Sequence, residues 1–235
     1  MTGAESIFGL KRIWQGLLVQ LVCQALLVVG VVAGDVVLSW TGNSGLAEGI
    51  SIVMTTAPFV AEIVAWVEIS VVLGRFKDAS TRFVSASRWY LLSICLVFAH
   101  FVFQSLSGAL QESGVAVTTI QGAAGTIVQL LKFVVPLVAL WMLVEGFIDY
   151  LDSLGESPAQ LRSFRRVRTF VAAIVVIELV LSLALFVLSA LAPSSAVFAA
   201  LSLMLVVTYV AGFCAQAAAV AKARSAARTV EEVLE

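Results

Sequence analysis

Six apolar runs, each about 22 to 27 residues long, govern what this chain of 235 residues can become. They fall at about 13–39, 50–73, 89–110, 126–150, 169–191 and 196–221. A helix of twenty such residues rises roughly 30 Å, the thickness of a bilayer's hydrocarbon core. The composition agrees, with 61% hydrophobic and only 12% charged residues, about half the charged share of an ordinary soluble domain. A membrane barrel would alternate polar and apolar residues, whereas these runs are continuous. We therefore expect an all-α integral membrane protein of six transmembrane helices. Residues 1–221 would form one domain, and 222–235 a cytoplasmic helical tail.

The charges orient the spans. Of the fourteen Lys and Arg residues, all except Lys132 fall before span 1, between spans 2 and 3, between spans 4 and 5, or in the tail. The segments 41–49, 111–125 and 192–195 carry none. By the positive-inside rule both termini are cytoplasmic, and the plasma membrane is the expected location. Lys11, Arg12 and the later Val32-Ala33-Gly34 resemble a signal peptide with its cleavage site, but the run between them is longer than such a segment should be. We expect it to remain as span 1. The three charge-free segments read as outer loops, the last a tight turn at Pro193. The second is glycine-containing and could re-enter the membrane, although Thr118–Gly122 lacks the glycine-tyrosine of a potassium filter.

Polar residues inside the spans are the candidates for function. A carboxylate in hydrocarbon costs roughly 2.5–3.5 kcal/mol on insertion scales, so it must be protonated, paired or open to cavity water. Glu62 and His100 fall near mid-depth, with Glu178 close to that level and Lys132 in the outer third. Gln20 and Gln24 are spaced four apart and share a face of span 1, which must point into the protein. These six residues form the expected substrate or ion site, assembled chiefly from spans 1, 2, 3 and 5. Gln104 lies one turn from His100. Glu68 and Glu145 are secondary candidates, shallow enough to pair with basic residues, and Arg75 is the expected partner of Glu68. Trp66 and Trp141 are secondary candidates for stacking on a ligand, with core packing as the ordinary alternative. Asp35 and Asp149 lie at span ends.

Spans 2 and 4 share a pattern. Pro58-Phe59-Val60-Ala61 leads to Trp66-Val67-Glu68, and Pro136-Leu137-Val138-Ala139 leads to Leu143-Val144-Glu145. This is compatible with a parallel repeat, or with chance likeness between apolar helices.

Catalytic signatures are missing. One histidine cannot form a zinc-protease helix or a two-histidine haem site, and neither a P-loop nor a dinucleotide glycine motif occurs. Cys23, Cys95 and Cys214 sit within apolar runs without metal-ligand spacing. We expect no catalytic residue, metal or cofactor, and no nucleic-acid partner, because topology already explains the basic segments.

Two functions lead, with a membrane enzyme of unknown type as the remaining alternative. One is a small secondary transporter or ion-conducting protein, proton-coupled through a buried carboxylate and acting on a small solute or ion. The other is a non-transporting scaffold, assembly factor or accessory subunit. That protein would associate with itself or a membrane partner through the small-residue face of span 6.

Overall fold

The computed structural model describes residues 3–112, 119–191 and 196–234. They form six α-helices: α1 (Gly3–Thr41), α2 (Ser44–Arg75), α3 (Thr81–Glu112), α4 (Thr119–Ser153), α5 (Pro158–Leu191) and α6 (Ala196–Leu234). Each is long and apolar enough to cross a membrane. Among the described residues there is no strand.

The helices run well past the apolar runs. At 32 to 39 residues they reach about 48–58 Å. Hydropathy marks only what lipid would accommodate, whereas the backbone ladder continues as long as packing and caps support it. Thus the 41–49 loop is a sharp turn at Gly42 and Asn43. Gly42 takes a left-handed φ of 63°, which glycine adopts without a Cβ clash. Asn43 then caps α2, its Oδ1 accepting from the Leu46 amide at 3.0 Å. The basic loops likewise prove to be mostly helix ends. Arg75 closes α2, Arg82 and Arg88 lie in α3, and the arginines from Arg162 to Arg168 lie in α5. Residues 119–125 are helical rather than a re-entrant loop. The remainder of that segment, and the turn expected at 192–195, lie outside the described residues. The tail is a continuation of α6.

Successive helices pack as neighbours, α6 returns to α1, and α4 also touches α6. Contacts at one end show that the helices alternate in direction. Lys11 Nζ of α1 meets Glu231 Oε1 of α6 at 2.6 Å. Ser80 Oγ, just before α3, donates to Asp149 Oδ2 of α4 at 2.7 Å. Gln160 Nε2 of α5 donates to Thr229 Oγ1 of α6 at 2.7 Å. Both termini therefore share the end that gathers the lysines and arginines, called here the cationic end.

The tightest core lies at that end. Phe76, Phe83, Phe147, Tyr150 and Phe164 meet edge to face or tilted, with centroids 5.6 to 6.4 Å apart, a favoured aromatic geometry. Gly146 lets α4 approach α3, since a Cβ there would stand 2.5 Å from the Phe83 ring. Ser70 and Ser87 tie α2 to α3 reciprocally, each hydroxyl reaching the other's carbonyl at 2.9 to 3.1 Å. Five alanines of α6, Ala215, Ala219, Ala223, Ala226 and Ala227, are buried within the chain, while Ala221 is exposed. Further from this end large apolar side chains face outward, among them Val28, Val53, Phe101, Leu183 and Val207.

Candidate functional site

Four of the polar span residues lie at one height. Gln24 is twelve residues beyond Arg12, and His100 is twelve beyond Arg88. Glu62 is thirteen before Arg75, and Lys132 thirteen before Glu145. At about 1.5 Å per residue each stands roughly 18–20 Å from the cationic end. Their meeting is the result of six helices alternating in direction from a common base.

Glu62 is the centre of the group. Its residue is 7% exposed, and Gln24 Nε2 donates to its Oε1 at 2.9 Å. The Lys132 ammonium and the Cys23 thiol lie within electrostatic range of the carboxylate. Lys132 in turn acts through space on His100, whose Nδ1 is buried with no hydrogen-bond partner among the described residues. Gln20, one turn nearer the cationic end, is buried. A carboxylate, an amide donor, an ammonium and an imidazole thus share one level, with three types of titratable group among them. Such a set can bind, hold and pass a proton or a small cation. Among the described residues no three His, Cys, Asp or Glu side chains converge to hold a metal.

Glu178 stands elsewhere. It is 2% exposed, and its Oε2 has no hydrogen-bond partner among the described residues. Its Oε1 lies 3.9 Å from where a Cβ of Gly212 would be, and Tyr209 is within its electrostatic range. The helices around it are α4, α5 and α6, and among the described residues α2 makes no contact with α5. Two separate buried acids therefore replace the single expected constellation. The sequence shows depth but not which helices are neighbours.

The secondary candidates resolve into structural roles. Glu68 pairs with Arg12 at 3.4 Å rather than with Arg75, which is exposed. The Arg12 side chain reaches Glu68 across the α1–α2 pair, whereas Arg75 is two turns further along α2 itself. Glu145 pairs with Arg168 at 3.4 Å. The two acids of the suspected repeat thus take arginines from α1 and α5 respectively. Trp66 is buried in the core, its Nε1 without a hydrogen-bond partner among the described residues, and Trp141 packs half-buried against that core. Asp149 accepts from Ser80. The side chains of Asp35 and Gln104 lie outside the described set.

Reading the sequence missed Cys23, Tyr209 and Arg12. An aromatic hydroxyl in mid-span needs a polar neighbour when buried, and that signal could have drawn attention to Tyr209. Comparison with models of known protein families, with curated proteins and with solved structures returns no match.

Proposed function

We propose that the chain is a multi-pass membrane protein of the plasma membrane, both termini cytoplasmic, that transports or conducts a proton or small cation through the Glu62 site. Membrane embedding is supported by where burial is found. Water drives apolar side chains together, while lipid tails give them no reason to leave the surface. A tight aromatic core at the cationic end, with valines and leucines facing outward beyond it, fits helices whose bases stand in water and whose shafts stand in lipid. The confinement of every lysine and arginine except Lys132 to that base supports the cytoplasmic side for it.

The observation that carries the functional reading is Glu62 itself. A carboxylate about 20 Å along an apolar helix, buried and held by Gln24, is expensive to maintain for packing alone. Lys132 balances it when it is ionised. An arriving proton or cation competes with Lys132 for the same oxygens, so loading the site releases the ammonium. That exchange is the elementary step of a coupled carrier. His100, within electrostatic range of Lys132, is suited to relay the proton.

Reconstitution into liposomes containing a pH-reporting dye tests this. Wild-type protein should dissipate an imposed pH gradient or couple it to cation movement, and Glu62→Gln should abolish that flux. Equal flux from the two proteins would remove Glu62 from the mechanism.

A further inference from the structure

We propose that the groove between the cationic ends of α1 and α6 is a binding site for one anionic phospholipid. The proposal rests on the membrane reading above but not on the transport reading. The groove, of about 360 Å³, is lined on α1 by Trp14 and Leu18 and on α6 by Val220, Ala221, Arg224 and Arg228, among others. Its polarity changes along the helices. Arg224 and Arg228 are four residues apart on one face of α6, both exposed, at the half nearer the cationic end. Leu18 and Ala221 line the half that runs toward the shafts, and both are exposed. Trp14 stands between, its ring 5.6 Å from the Arg224 guanidinium, in the position of an interfacial aromatic.

Charge complementarity identifies the occupant. Neither arginine has a carboxylate within ion-pair distance among the described residues. Of the acids on the same stretch of α6, Glu231 is taken by Lys11, and Glu232 is exposed, with no ion pair among the described residues. Two uncompensated guanidinium groups one turn apart suit a phosphate, which arginine binds through a fork of N–H donors. The apolar half continues the line an acyl chain would take. Basic pockets between helices on the cytoplasmic side are suited to anionic headgroups. A free phosphate would use only the arginines, and a second copy of the chain would have to bring its own acid.

Native mass spectrometry of the full chain in detergent, with phosphatidylglycerol or phosphatidylcholine added, tests the assignment. We expect retention of one phosphatidylglycerol over phosphatidylcholine, falling about tenfold or more in the Arg224→Gln/Arg228→Gln double variant. The Arg75→Gln/Arg88→Gln double variant, whose arginines are exposed on α2 and α3, should bind as wild type does. Ala221→Trp, which fills the apolar half and leaves both arginines, should also release the lipid and serves if the arginine variant misfolds. Equal loss from both arginine pairs, equal retention of the two lipids, displacement by inorganic phosphate alone, or a dimer that dissociates on mutating Arg224 and Arg228 would each overturn the proposal. Resistance of the chain to alkaline extraction from membranes checks the membrane reading separately. A chain that stays embedded yet shows no lipid preference loses only the groove.

Discussion

Gln24 and Glu62 face each other across the α1–α2 pair, amide nitrogen to carboxylate oxygen at 2.9 Å. Each is roughly 18–20 Å from the last cation of its helix. A hydrogen bond to a chargeable group at that depth holds two helices in register and fixes the direction in which the acid points.

Removing only the donor should therefore be worse than removing both partners. Gln24→Leu leaves the carboxylate buried and short of a hydrogen bond, at a cost of about 1–3 kcal/mol. Gln24→Leu combined with Glu62→Leu replaces both by apolar groups and should recover most of that loss. Thermal denaturation in detergent measures the difference. A double variant no more stable than the single one would contradict the role given to this bond.

The approach of α3 and α4 gives a steric test. A Cβ on Gly146 would stand 2.5 Å from the Phe83 ring, and the ring is held on several sides by other aromatics. Gly146→Ala should destabilise by about 1–3 kcal/mol. Gly74→Ala meets nothing within 4 Å and should stabilise slightly, by up to about 1 kcal/mol, through helix propensity. The same melting measurement reads both.

Lys11 and Glu231 join the two ends of the chain, but their side chains are 43% and 35% exposed. A double-mutant cycle with alanine at each position should give a coupling of only about 0.2–1 kcal/mol, shrinking as salt is raised. A larger, salt-insensitive coupling would mean that the cationic end is drier than its exposure indicates.

The two buried acids should behave independently. Because α2 and α5 do not touch among the described residues, the stability effects of Glu62→Gln and Glu178→Gln should add to within about 0.5 kcal/mol. Strong non-additivity would join the two sites that the packing keeps apart.

The contrast between what could and could not be read from the sequence has a simple physical basis. Hydropathy and the placement of lysine and arginine depend on one residue at a time, so six apolar spans and a single cationic end were legible directly. The depth of Glu62, Gln24 and His100 followed from counting along each span. Helix ends depend on capping and packing, and so α2 begins at Ser44, capped by Asn43, inside a segment whose hydropathy reads as loop. Neighbour relations depend on how helices close into a bundle. For that reason Glu178 was grouped with Glu62, and Glu68 was assigned Arg75 although its partner is Arg12 on another helix.

The central claim is that Glu62 exchanges protons from within the shafts of the helices. A pH-step infrared difference spectrum of the protein in lipid reads this directly. The account predicts a carboxyl C=O band that appears reversibly in the wild type and in Glu145→Gln, and whose Glu62 component is absent from Glu62→Gln. Identical difference spectra from wild type and Glu62→Gln would contradict it, because the acid would then be sealed in one state.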